Sequence, residues 1–235
     1  MSKNTVRSHP VIALDGPAGA GKSTVAMRVA QALGYVLVDT GALYRAVGVL
    51  AQRRRVRTDD VARVEQITMQ AVESHALKMV ARAGATPIVW IDGEPQTDAL
   101  RTPEASHAAS IVSGYPGVRA ALLALQRSFG SDGGVVLEGR DIGTVVFPDA
   151  EIKFFITASD TERAHRRHQE LLQKDPSSQL SQVLAAVRER DSRDASRDIA
   201  PMKPAEDAVV LDTSAMSVEE VVAVVVQAAI GAQTV

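Results

Sequence analysis

Apolar residues run along the chain in two rhythms. Short unbroken stretches at 11–14, 35–39, 135–138, 152–156 and 208–212 have the length of buried strands and are bounded by polar or glycine-containing segments. Between them apolar positions return at helical spacing, over 24–33, 46–74, 103–113 and 116–129. Ser159 with Glu162, and Ser217 with Glu220, stand at capping-box spacing and open two more helices. A strand–helix–strand unit over 11–39 predicts that its two strands pair in parallel. Two stretches break the rhythm: 76–80 and 88–91 read as antiparallel strands, with Asp92-Gly93 as a turn signal, and predict a small inserted lobe. Arg53, Arg54 and Arg55 interrupt the 46–74 helix and point to different faces, so their charge is expected to be mostly solvated. Residues 1–10 read as a frayed lead-in.

Between the first strand and its helix lies Gly16-Pro17-Ala18-Gly19-Ala20-Gly21-Lys22-Ser23-Thr24, which fills G-x-x-x-x-G-K-[ST] at every fixed position. Glycines let the backbone wrap an anion, and amides of the loop and helix N-terminus then point at a nucleotide β-phosphate. Lys22 supplies positive charge near the β/γ oxygens, and Ser23 is the expected Mg²⁺ ligand. Asp15, at the strand end, is placed to orient the loop. A dinucleotide fingerprint is excluded, since Thr24 stands where its third glycine belongs.

Composition narrows what can receive the phosphate. The chain has 235 residues, enough for one α/β domain with an inserted lobe. Aromatic residues make up only 3%, which leaves no stacking platform for single-stranded nucleic acid, and a net charge of −2 gives no general attraction for a polyanion. A phosphate ligand must then be held by local arginines. Without cysteine, disulfides, zinc thiolates and thiol nucleophiles are ruled out. No stretch reads as a signal peptide or membrane span.

Three arginine-bearing segments carry the remaining chemistry. Ligands in open parallel sheets sit beyond the carboxyl ends of strands, which puts Thr40, Tyr44 and Arg45 on the P-loop edge, with Arg45 either a phosphate clamp or a solvated helix arginine. Arg163, Arg166 and Arg167 share one helical face, which is either plain solvated surface or a row of cations closing over ATP. Over 190–198, Arg190, Arg193 and Arg197 form one stripe and Asp191, Asp194 and Asp198 its neighbour. Intrahelical ion pairs would make such a pattern, and so would a phosphate receptor flanked by carboxylates that accept from a ribose.

The series GPAGAGKST at 16, DTGALYR at 39, EGRDIGTVVFPDA at 138, ERAHRR at 162 and RDSRDASR at 190 resembles the bacterial cytidylate kinases, in order and spacing, from about Val11 onward. The resemblance implies an α/β fold: a five-stranded parallel core flanked by helices (about 10–74, 115–158 and 198–235), a small α+β monophosphate-binding insert (about 75–114) and a helical lid (about 159–197). It implies cytosine reading by Ser110, Arg119 and Asp141, and sugar and phosphate holding by Thr40, Arg45, Arg140, Arg190, Asp194 and Arg197. Arg163 and Arg166 match the lid, and of the two Arg166 is the one assigned to catalysis. Lys22, Arg140, Arg166, Arg190 and Arg197 would then carry catalysis with ATP and Mg²⁺, on CMP or dCMP, in a cytoplasmic monomer that engages neither nucleic acid nor membrane. Ser23 stands where some relatives have glycine, and Ala195 and Ser196 replace longer polar or basic residues.

The expected reaction moves the γ-phosphoryl of ATP to CMP or dCMP. Its attacking phosphate oxygen is already deprotonated at neutral pH, so no general base is needed. The alternative within the same chemistry is a monophosphate kinase preferring UMP. A P-loop switch protein is disfavoured because the chain has neither N-K-x-D nor D-x-x-G.

Overall fold

The computed structural model describes residues 7–173 and 175–233. Five strands form one parallel sheet: β1 (Val11–Asp15), β2 (Val36–Asp39), β6 (Val135–Glu138), β7 (Ile152–Thr157) and β8 (Val209–Asp212), in the order β2-β6-β1-β7-β8. The expected parallel pairing of the first two strands is therefore corrected. Val36–Asp39 pairs with β6, which lies between it and β1. A helical crossover brings two strands to the same sheet in the same direction but leaves room for a third between them, and apolar runs alone do not say which strands are neighbours.

Successive residues of β1 enter opposite layers. Val11 and Ala13 join an apolar cluster with α2 (Thr40–Arg53), α3 (Val61–Glu73), α4 (Pro103–Val112) and α5 (Pro116–Ser128), while Ile12 and Leu14 face α1 (Lys22–Leu33) and α8 (Val218–Gln233). The predicted 46–74 helix is two helices, because the chain turns at Arg54 and Arg55, the latter with φ 55°. Its first part also starts earlier, at Thr40, where the Asp39 carboxylate caps the amide of Ala42 at 2.9 Å.

The inserted lobe is a three-stranded antiparallel sheet, β3 (Leu77–Val80), β4 (Ile88–Ile91) and β5 (Glu94–Gln96). Asp92 and Gly93, at φ 51° and 83°, form the tight turn between β4 and β5, a third strand that the sequence pattern did not reveal. The arginine triplet is not merely solvated: Arg53 donates to Glu94 and Gln96, and Arg54 pairs with Asp92 at 2.8 Å, tying α2 to this sheet. Leu77, Met79, Val89 and Ile91 share the apolar cluster of the main sheet. Gly48 of α2 permits a close crossing with α4, since a Cβ there would lie 2.6 Å from that of Ala108.

Helices α6 (Asp160–Leu172) and α7 (Leu180–Ala195) pack on each other around Ala164, Val183 and Val187. The Ser217–Glu220 capping box is complete, with bonds in both directions. At Ser159 only half forms: its hydroxyl accepts from Glu162, but its amide donates to Ser214 and the Glu162 carboxylate goes to Arg166. Of the lead-in, residues 1–6 lie outside the described residues. The part that is described is held down, with Arg7 bridging Asp149 and Glu151 at 2.7 and 2.9 Å. Among the described residues no single helix is long and apolar enough to cross a membrane.

Candidate active site

The P-loop leaves the carboxyl end of β1 and bends where only glycine fits. Gly16 has φ 138°, and a Cβ on it would sit 2.0 Å from the carbonyl oxygen of Ile156; Gly19 and Gly21 have φ 77° and 87°. Lys22 is buried and donates to the Pro17 carbonyl at 2.6 Å. Burial, and then the charge of Arg140, push its pKa down, whereas burial and Asp39 push that of Glu138 up. Ser23 donates to Glu138 at 2.8 Å, which leaves its oxygen lone pairs free. That donor set fits a Mg²⁺ ion bound through Ser23, with Glu138 orienting the hydroxyl from behind. Glu138 closes the strand beside β1, and sequence spacing drew attention to the loop after it rather than to the carboxylate itself.

Asp15 does not orient the P-loop as its position suggested. Its buried carboxylate accepts the amides of Ile142 and Gly143, each at 2.8 Å, and so pins the loop that follows β6. Burial raises it to about 6 against the pull of those two amides. This loop contains one wide turn, with the amide of Phe147 reaching back to the carbonyl of Ile142, and it presents Arg140 and Asp141.

Asp141 pairs with Arg119 of α5 in a contact where both side chains are less than a tenth exposed. Burial holds the Asp141 carboxyl above its ordinary range even beside Arg119, Arg197 and Arg140. The Arg119 guanidinium also donates to the Ser113 carbonyl and stands 5.7 Å from the centre of the Tyr44 ring. Ser110, on α4, lies 3.5 Å from Asp194.

Asp194 is the hub of the arginine cluster. It is 1% exposed, receives Arg140 at 2.9 Å, pairs with Arg197 and lies 3.8 Å from Arg190. Burial works against its charge, but Arg140, Arg197 and Arg190 together hold it below the usual carboxylate range. The expected 190–198 stripe is only partly helical: α7 ends at Ala195 with Ser196 as cap, and Arg197 arrives from the following turn. Of the carboxylate row, Asp191 pairs with Arg163 and Asp198 is exposed, so Asp194 alone faces the arginines.

Thr40 and Arg45 also carry bonds within the chain: the Thr40 hydroxyl donates to the Glu138 carbonyl at 2.7 Å and Arg45 folds onto Asp39 at 2.5 Å. Arg166 donates to the Thr213 carbonyl at 2.9 Å, close to Gly21. Ala18, Gly19, Ala20, Gly21, Lys22, Ser23 and Thr24 line one continuous cleft of about 940 Å³ together with Thr40, Arg45, Ser110, Arg119, Arg140, Asp141, Arg166, Arg190, Asp194 and Arg197. Gly16 and Pro17 shape the loop from beneath, through Ile156 and Lys22. A phosphate-wrapping loop thus shares its cleft with an arginine cluster and a buried Arg–Asp pair.

Residues 12–230 match the family described as cytidylate kinase. The chain belongs to that family. A cytidylate kinase from Syntrophotalea carbinolica is 47% identical over 90% of this chain and 88% of its own length. A bifunctional pantoate ligase/cytidylate kinase from a Synechococcus strain is 48% identical, over 91% of this chain but only 39% of that longer protein. A gluconokinase structure from Sinorhizobium meliloti covers 97% of this chain and 93% of its own at 17% identity and a TM-score of 0.44, a likeness too distant to add to the family assignment. In this cytidylate kinase fold Asp15 and Asp191 meet partners other than those the sequence suggests, the amides of Ile142 and Gly143 and the guanidinium of Arg163, while Glu138, behind Ser23, is a carboxylate the sequence leaves without a role. All three stand in the sequence in or beside a motif, with nothing local to show what they touch.

Proposed function

We propose that the chain transfers the γ-phosphoryl group of ATP to CMP or dCMP, giving CDP or dCDP and ADP, within pyrimidine nucleotide metabolism. The observation that carries this is the buried Arg119–Asp141 pair in the same cleft as the P-loop and the Asp194 arginine cluster. A carboxylate can accept from the exocyclic amine of cytosine, which uracil lacks, and Arg119 can donate to the ring acceptors. Ser110 completes the base-reading set, Asp194 serves the sugar, and Arg45, Arg140, Arg190 and Arg197 receive the acceptor phosphate, with Thr40 beside them.

The acceptor phosphate is largely dianionic at neutral pH, so the chain has to bring two anions together rather than remove a proton. Arg140, Arg190 and Arg197 exchange contacts with Asp194 for contacts with phosphate, and Lys22 leaves the Pro17 carbonyl for the β/γ oxygens. Arg166 closes on the transferring group from α6. Positioning and charge stabilisation then supply the catalysis. Mg²⁺, held through Ser23, neutralises charge on the donor phosphates when bound. In this reading 75–114 is the monophosphate-binding insert, 159–197 the lid and the rest the core, and the enzyme works as a cytoplasmic monomer without nucleic acid or membrane partners.

The test is ADP release at fixed ATP and Mg²⁺ with CMP, dCMP, UMP, AMP, GMP or no acceptor. Turnover with CMP and dCMP above all others is expected. Preference for UMP would overturn the base-reading assignment, and equal ADP release without acceptor would overturn the kinase.

A further inference from the structure

The basic face of α6 does not open as a whole onto the cleft. Arg163 is turned away from it, its side chain 6% exposed. Its Nη1 donates to the carbonyl of Ala18 in the P-loop at 3.1 Å and lies 2.6 Å from Oδ2 of Asp191 on α7, while Nε donates to the Ala158 carbonyl at 2.9 Å. Gly19 is pressed against the same residue, since a Cβ on it would stand 3.1 Å from the Arg163 carbonyl oxygen. One planar guanidinium therefore joins the crown of the donor loop to the helix that carries Arg190 and Asp194.

We infer that Arg163 and Asp191 are positioning residues that couple occupancy of the acceptor site to the affinity of the P-loop for its nucleotide. Asp191 follows Arg190 directly and lies one turn before Asp194. A phosphate that draws Arg140, Arg190 and Arg197 off Asp194 changes the balance of charge on that turn, and the rigid fork of Arg163 transmits any shift of α7 to the Ala18 carbonyl. The other oxygen of Asp191, Oδ1, is buried without a partner, so the carboxylate relies on Arg163 for its contacts. The effect must be reciprocal, with donor binding tightening the acceptor site by the same factor.

The inference rests on CMP as acceptor, and the experiment separates the two claims. Calorimetry would measure the affinity of a non-hydrolysable ATP analogue with Mg²⁺, with and without saturating CMP, in the wild type and in Asp191→Asn, Asp191→Glu and Arg163→Lys. The wild type is expected to bind the analogue about 5- to 10-fold tighter when CMP is present. Asp191→Asn and Arg163→Lys bring that ratio close to one, leaving the affinity for CMP alone at the wild-type value, and Asp191→Glu, which keeps the charge, restores most of the ratio. A full wild-type ratio in Asp191→Asn and Arg163→Lys overturns the coupling, as does a loss of analogue affinity that is equal with and without CMP. If either neutralised or shortened variant fails to fold, the other and Asp191→Glu decide between the same outcomes. Failure of the wild type to bind CMP at all overturns the proposed function itself.

Discussion

The hydroxyl of Ser23 donates its proton to the carboxylate of Glu138 at 2.8 Å, across the boundary between the P-loop and the neighbouring strand. A hydroxyl that donates backward presents its lone pairs forward, which is what a hard cation requires. Glu138→Ala is therefore expected to raise the Mg²⁺ concentration for half-maximal activity by about 10- to 100-fold, the usual cost of losing a partner behind a ligand. A Mg²⁺ titration of initial rates at saturating CMP checks it, and an unchanged midpoint would remove Glu138 from the site.

Asp15 links stability to pH. Its carboxyl, near 3.8 when unfolded, is raised to about 6 in the fold, so the native state holds this proton more firmly than the unfolded chain. The group's stabilising contribution is complete below about pH 4 and is lost as pH rises through about 6, at roughly 1 kcal/mol between about pH 5 and about pH 7. Urea midpoints across that window are expected to fall in the wild type and to stay flatter in Asp15→Asn. That variant also turns one acceptor into a donor facing an amide, and is less stable at neutral pH by about 1–3 kcal/mol.

Arg190 is held against its own kind. Burial first, and then the charge of Arg140, lower its pKa, with Asp194 opposing them. Removing it relieves repulsion in the free protein and, in the function proposed above, takes away a contact to the acceptor phosphate. Arg190→Ala is expected to melt a few degrees higher, roughly 2–4 °C per kcal/mol at this chain length. Its kcat/KM for CMP drops about 100-fold or more, with little change in affinity for an ATP analogue. Equal losses for donor and acceptor would place Arg190 elsewhere.

Breaking the Arg119–Asp141 pair leaves one buried charge uncompensated. Asp141→Asn keeps the shape and gives Arg119 a weaker partner, so the fold should survive while selectivity suffers. The ratio of kcat/KM for CMP over UMP is expected to shrink about 10- to 100-fold, the equivalent of one lost base contact. Steady-state kinetics with both acceptors measures it.

Much of this molecule is legible in its sequence. The strands at 11–14, 135–138 and 152–156, the helices starting at Pro103 and Pro116, and the caps at Ser159 and Ser217 follow from local apolar period and turn chemistry, which a sequence displays directly. The P-loop and the arginine blocks at 163–167 and 190–197 are legible as patterns, whereas Ser110, Arg119, Arg140 and Asp141 carry no such signal and come only from the resemblance to the cytidylate kinases. Pairing was not legible. That β6 slides between β1 and β2, that β5 exists, and that Arg53 and Arg54 reach Glu94, Gln96 and Asp92 depend on contacts between distant segments, which leave no local period. For the same reason Asp15 was attached to the loop it adjoins rather than to the amides of Ile142 and Gly143 that it meets in space.

The strand order β2-β6-β1-β7-β8 also sets a timetable. On a ribosome Val11 and its apolar neighbours emerge first, yet both flanks of that strand are filled by segments made much later, starting at Val135 and Ile152. Until then the nascent chain carries a strand with both edges unpaired and apolar side chains on both faces, the kind of surface that invites mispairing between molecules. Chains truncated before Val135 are thus expected to aggregate rather than form half a domain. The rate of productive folding should follow the arrival and docking of one four-residue strand, Val135–Glu138, more than the formation of any helix.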